Sequence, residues 1–529
     1  MEADKKKKKD TEVITFTVPL ALKEVTEDLT INTNNLSQKS KEQIINQAIN
    51  FQLQGNISEA TKYYKSFINM GFQDYRVFSN YGSILQSVSK LKDAELYLRK
   101  AIELNSNIAE VHYNLGNVLK DLGKLKDAEV STRKAIELKP NFAMAYFNLG
   151  MILRNLGQLQ DAGISYRKAI ELKPDYAEAH SNLGNLLRGL GELKDAEISL
   201  RKAIELKPNY AKAYFNLSLI ELLKGNYQSG LENYEFRFKT KNPPITFGTT
   251  KLKRVNHQKL QQGEKLLVIS EQGLGDTLQY MRYVPYLRSQ GLDVAFSAQT
   301  KLHSLIKSSG IDQNPISKEE SSNISEGQWI PLLSLPRYLK VTPENPIINK
   351  PYIYSTNALN QKWKNIFANE KKPIVGINWQ GNPEIEKLHY QGRSLPLEAF
   401  SILADNNEVS MLSLQKGFGS EQLDHCSFKN KFVECQPQID STWDFLENAA
   451  IIENCDLIIT CDTSIAHLAG GMGKQVWLLL RDIPFWTWGL TAETTFWYPS
   501  MRLFRQKERH NWAELMERVS SALKNETKD

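Results

Sequence analysis

The sequence predicts an α-helical repeat superhelix followed by an α/β region whose two lobes face a common cleft. Two observations carry this reading. A 34-residue period runs through the first half, and from Lys265 onward short apolar strands alternate with helical stretches. Length agrees, since 529 residues exceed one hydrophobic core and suit roughly three or four domain-sized units. The expected division is a charged tail at 1–40, a repeat array at 41–244, a first lobe at 245–365 and a second at 366–529.

The tail carries seven Lys/Arg and seven Asp/Glu, including Lys5–Lys9, and reads as disordered. The weakly apolar stretch after it contains Glu12 and lacks a cleavage site, so no signal peptide is expected. No uncharged apolar run approaches the ~18–20 residues of a membrane span. The expectation is a cytoplasmic chain without membrane insertion. Four cysteines crowd the last quarter without a C-x-x-C pair, which fits reduced thiols. Eight histidines show no metal-ligand spacing, so no metal site is expected. The net charge of +6 sits on 41–244, with 28 Lys/Arg against 22 Asp/Glu. That is too mild for a nucleic-acid partner.

In the array, Ala-Ile-Glu-Leu begins at Ala101, Ala135, Ala169 and Ala203. Asn-Leu-Gly begins at Asn114, Asn148 and Asn182, and prolines fall at Pro140, Pro174 and Pro208. This period and pattern resemble tetratricopeptide repeats, each a helix–turn–helix closed by a proline. About six units fit, from 41–74 to a degenerate 211–244. Gly116, Gly150 and Gly184, with Ala128, Ala162 and Ala196, stand where paired helices must approach closely. One pair cannot bury its apolar stripe, so pairs stack into a superhelix with a concave face suited to a peptide or protein. The alternative is a spacer. Asparagine recurs at Asn46, Asn80, Asn114, Asn148, Asn182 and Asn216. Such a series either lines the concave face as a ladder for an acceptor's backbone or fastens neighbouring helices, because buried amides need partners. Similar ladders occur in the O-linked N-acetylglucosamine transferases, whose layout this chain resembles.

After Lys241-Asn-Pro-Pro244 the periodicity changes. Strands are expected at 265–270, 291–296 and 329–333 in the first lobe. In the second they are expected at 374–379, 409–414, 457–460 and 476–480. Strands alternating with helices imply parallel sheets, with ligands at the carboxyl ends of the strands. Gly273-Leu-Gly-Asp-Thr277 and Cys461-Asp-Thr-Ser-Ile-Ala-His-Leu-Ala-Gly470 resemble two motifs of the family-9, heptosyltransferase-like glycosyltransferases. That resemblance covers roughly 265–510. It implies a GT-B fold of two Rossmann-like lobes, with acceptor on the first, nucleotide-sugar on the second and no required metal. It also implies inversion at the sugar. No Asp-x-Asp occurs in the chain.

The resemblance makes Asp276 the general base, with Gly273 and Gly275 shaping an acceptor-side loop. A carboxylate at a cleft mouth can take the acceptor hydroxyl's proton; the other reading of Asp276 is a helix N-cap. The resemblance places Asp462, Thr463 and His467 in the donor pocket, where a helix start suits a diphosphate. The other reading is a cap with His467 buried. Ser464 stands where the family usually has glycine. Gln380 and Lys416 follow strands and Arg393 precedes Leu395-Pro396; they are further donor-side candidates, Arg393 as a fork for diphosphate, with ordinary solvated surface groups as the alternative. Trp486, Trp488, Trp497 and Tyr498 read as lobe packing or as stacking surfaces. The expected function is glycosyl transfer from a nucleotide-sugar, without other cofactor, to a protein or glycan recruited by the array. One rival is a binding scaffold with inactive lobes. Another is a dinucleotide-dependent oxidoreductase, which needs a third glycine where Leu278 stands.

Overall fold

The structure, a computed structural model, describes residues 38–256, 258–371, 373–386, 392–404 and 409–526. The tail expected at 1–40 lies almost wholly outside the described residues. The chain forms two compact units that divide between Pro208 and Asn209. The division falls one repeat earlier than the linker expected at 241–244, so helices Ala211–Leu223 and Tyr227–Tyr234 group with the α/β unit.

The first unit pairs its helices consecutively: Gln38–Leu53 with Ile57–Asn69, Tyr75–Ser87 with Leu91–Leu104, and Ala109–Asp121 with Leu125–Leu138. Ala143–Asn155 then pairs with Leu159–Leu172, and Ala177–Leu190 with Leu193–Leu206. Each second helix buries residues three or four apart, as Ala128, Thr132 and Ala135 do in Leu125–Leu138. That spacing puts them on one face. The expected close approach is present at Gly150, where an added Cβ would stand 2.6 Å from the Tyr166 ring. The outer face of the second helices is salt-bridged within the helix, as in Arg133–Glu129 and Arg201–Glu197. It also exposes Leu96, Val130, Ile164 and Ile198, between 51% and 70% accessible and spaced 34 residues apart.

The second unit holds two sheets. The first contains β1 (Lys253–Arg254), β2 (Lys265–Ile269), β3 (Asp293–Ser297) and β4 (Gln328–Pro331) in the order β1-β4-β2-β3, all parallel. The second contains β5 (Ile374–Asn378), β6 (Ser410–Ser413), β7 (Leu457–Cys461), β8 (Val476–Leu480), β9 (Thr494–Thr495) and β10 (Tyr498–Arg505). Its order is β6-β5-β7-β8-β10-β9, parallel except for β9. β2, β5, β7 and β8 are almost wholly buried, which explains their unbroken apolar sequences. No helix among the described residues is long and apolar enough to cross a membrane.

Candidate functional site

In the second sheet the connections leave β5 in one direction to β6 and in the other to β7. Ligands of such sheets sit at this reversal, outside the strands' carboxyl ends. β5 ends there on Asn378, and β7 runs into Asp462 and Thr463. The Thr463 hydroxyl caps helix Ser464–Gly471 by accepting the Ile465 N–H at 3.3 Å. It also donates to Asn378 Oδ1 at 2.8 Å. The Asn378 amide donates in turn to Gln415 Oε1, 2.7 Å away. The helix start is thereby fixed to the end of β5 and, through it, to Gln415 just beyond β6.

The first sheet reverses at β2, between β3 and β4. Beyond β2, Ser270–Gln272 is bound to 245–247 by backbone hydrogen bonds, Phe247 N–H to Ser270 and Gln272 N–H to Ile245. Glu271 is fully buried against Arg237, itself 2% exposed, with Nη2 to Oε1 at 2.6 Å. Gln272 donates to the Tyr234 hydroxyl at 3.2 Å. Helix Leu274–Tyr280 follows, and the Asp276 carboxylate reaches back to accept the Gly273 N–H at 2.9 Å. The capping role is real. Asp276 is half-buried. That burial, ahead of the charges of Glu271 and Asp462, raises its pKa to about 7 despite the Gly273 bond.

The two motifs meet. An added Cβ on Gly275 would lie 2.9 Å from His467 Cδ2 and 3.5 Å from the Ser464 Cα, so only glycine lets the two helices touch. Asp462 stands beside this contact, its pKa raised by burial and opposed by the charge of Arg393. His467 is buried, with Nδ1 2.9 Å from the Tyr498 hydroxyl and its ring stacked on Trp488 at 5.2 Å. Burial and the Arg282 charge lower its pKa to about 3, so the ring is neutral. The buried alternative holds for His467: it orients this wall through Tyr498 and Trp488. The arrangement sets two carboxylates, Asp276 and Asp462, both with pKa raised by burial, beside the start of helix Ser464–Gly471.

The softer candidates divide. Arg393 pairs with Glu386 at 3.1 Å, and its guanidinium occupies the space a Gly381 side chain would need. Gln380 accepts from Gln422 at 3.0 Å. The Lys416 ammonium donates to the Ile439 carbonyl, and burial lowers its pKa to about 8. Among the described residues no three His, Cys, Asp or Glu side chains gather as metal ligands. In the asparagine series, Asn80, Asn114, Asn148, Asn182 and Asn216 are only 0–6% exposed and Asn46 is half-buried, which fits the alternative that they fasten neighbouring helices. Asn148 shows the packing role, donating to Thr132 Oγ1 at 3.3 Å and accepting from Lys120 at 3.1 Å.

Several residues escape a reading of the sequence. Asn378 and Gln415 each end an apolar strand segment, and a polar residue at such an end is the available signal. Arg282 carries none. It is buried and donates to the carbonyls of Gln279 at 2.7 Å and Trp497 at 2.7 Å and to the Tyr352 hydroxyl at 3.0 Å. It thus joins both lobes and the segment between them. β10 registers in the sequence only as aromatic packing. Two surface hollows, of about 490 and 610 Å³, lie away from these motifs, beside Arg502 and Arg518 and beside Tyr227 and Glu344.

Tetratricopeptide-repeat models match residues 75–108, 109–142, 132–163 and 177–210, and a TPR-repeat model matches 150–191. These are tetratricopeptide repeats. Such arrays are protein-interaction scaffolds. Among solved structures, MamA is 25% identical, with 31% of this chain and 96% of that one covered at a TM-score of 0.29. YrrB, described as a TPR protein with an unusual peptide-binding site, is 27% identical, covering 33% and 91% at 0.29. A thermophilic TPR protein of Thermus thermophilus is 21% identical, covering 32% and 92% at 0.28. No curated relative matches the chain.

Proposed function

We propose that the chain is a glycosyltransferase of GT-B type whose repeats recruit a protein or glycan acceptor. The observation that carries this is the direct packing of Gly275 on Ser464 and His467, two motifs nearly 200 residues apart. It sets Asp276 beside the Asp462–Ser464 helix start. In the proposed step Asp276 takes the acceptor hydroxyl's proton as that oxygen bonds to the anomeric carbon. The bond from that carbon to the donor phosphate breaks, and its electron pair leaves on the nucleoside diphosphate. The helix start and Arg393 meet the leaving charge. Inversion and independence from a metal belong to the same reading.

The test is a nucleotide-sugar panel scored for nucleotide release with and without protein acceptors, in EDTA and in Mg²⁺. The expected result is release that survives EDTA and falls about 10²–10⁴-fold in Asp276→Asn. Release that EDTA abolishes and Mg²⁺ restores would overturn the metal-independent step. A scaffold with inactive lobes is the second reading, favoured by the bond between Asp276 and its own loop. It predicts no release with any donor, in a chain that still captures its partner.

A further inference from the structure

We infer that Phe418 is the platform on which the base of a nucleoside diphosphate stacks; this rests on the glycosyl-transfer reading. Phe418 lies in the turn after β6 and is 56% exposed. Gln415, 3% exposed, accepts from the Asn378 amide and from the N–H groups of Trp379 and Gln380 at 2.7, 3.2 and 3.0 Å. Its own amide donates to the carbonyls of Phe418 at 2.6 Å and Gln380 at 3.0 Å. The Trp379 indole donates to the Gly419 carbonyl at 3.2 Å. Gly417 and Gly419 have φ of +67° and +84°, and a side chain on Gly419 would collide with Gln380. The turn is therefore fixed, and it holds an apolar ring in water.

Place decides what the ring is for. Three hydrogen bonds in series run from Thr463 Oγ1 through Asn378 and Gln415 to the Phe418 carbonyl. Their lengths plus two amide groups keep the Phe418 carbonyl within about 13 Å of Thr463 Oγ1. That is the reach of a whole nucleoside diphosphate, whose phosphates at the Thr463 helix start would leave its base within range of the turn that carries Phe418. An aromatic face takes any base, and a platform rigid beforehand loses little freedom when it does so.

The experiment is calorimetric binding of ADP, GDP, UDP and CDP, with inorganic pyrophosphate in parallel, to the full chain and to Phe418→Ala and Phe418→Tyr. Phe418→Ala should weaken the preferred nucleoside diphosphate on the order of 10- to 100-fold. It should leave pyrophosphate binding and the melting temperature unchanged, and Phe418→Tyr should keep the affinity. Equal nucleotide affinity in wild type and Phe418→Ala overturns the platform and leaves the transfer reading standing. Pyrophosphate binding that falls in step with nucleotide binding overturns it too, because the loss would not belong to the base. A wild-type chain that binds none of the four nucleotides overturns both.

Discussion

Asn148 in the repeats and Asn378 in the α/β unit are both buried amides, and they do different work. Asn148 bonds Thr132 and Lys120 at 3.3 and 3.1 Å, both side chains of the preceding repeat. Asn378 bonds Gln415 and Thr463 at 2.7 and 2.8 Å, at the ends of two other strands. In the array the asparagine recurs with the period but its partners do not, since Leu98, Tyr166 and Leu200 stand at the counterparts of Thr132. In the α/β unit each polar contact joins segments distant in sequence, so losing one unfastens the site. Buried polar groups should therefore be costly in the second unit and modest in the first.

Arg237→Met presses that difference hardest. It leaves Glu271 buried and unpaired, a loss typically worth about 3–5 kcal/mol. All nine tryptophans lie beyond residue 208, so their fluorescence reports the α/β unit. Circular dichroism is dominated by the helical array. The expected outcome is a fluorescence transition at much lower denaturant with little change in the helical one. A second change, Glu271→Leu, should recover much of the loss. Equal shifts in both signals would mean that the units unfold together.

The second expectation concerns pH. A base with a pKa near 7 must be ionised, so release should fall tenfold per unit below pH 7, about a hundredfold by pH 5. His467, neutral down to about pH 3, adds no limb in that range. Stability carries the same group with a definite sign. The folded chain holds the Asp276 proton that the unfolded chain has lost, so this contribution fades as pH rises from about 4 to 7. Asp276→Asn should lack both effects. A pH–rate profile with no limb near 7 in the wild type would remove Asp276 from the chemistry.

Legibility follows the same divide. The repeats are readable because Gly150, Tyr166 and their 34-residue counterparts restate one packing solution, and nearly all contacts are local. β5, β7 and β8 are readable as apolar runs bounded by turns. β10 is not, because in Tyr498–Arg505 exposed and half-buried residues interrupt the buried ones. The cap between Asp276 and Gly273 is local and readable, but the series from Thr463 through Asn378 to Gln415 is not, because those residues lie 85 and 37 positions apart and only folding puts them in hydrogen-bond range. The choice between ladder and helix fastening is not legible, since a periodic asparagine reads the same whether it faces a groove or the next helix.

The last three expectations belong to the array. Asn148→Ala removes two moderate hydrogen bonds and should lower the stability of the helical transition by about 1 kcal/mol. Replacing Asn114, Asn148 and Asn182 together should mainly lower that transition, as befits packing residues. The smallest effect is expected at Ile198. Its side chain is 67% exposed on the outer face of Leu193–Leu206, so Ile198→Ser should move the helical transition by no more than about 0.5 kcal/mol. The substitution removes apolar surface already in contact with water, and the helix keeps Ala196, Ser199, Leu200 and Ala203 in its core. A loss near that of Asn148→Ala would mean that Ile198 is covered in solution. In that case the loss should shrink on dilution if a second copy supplies the cover, because association depends on concentration and packing within one chain does not.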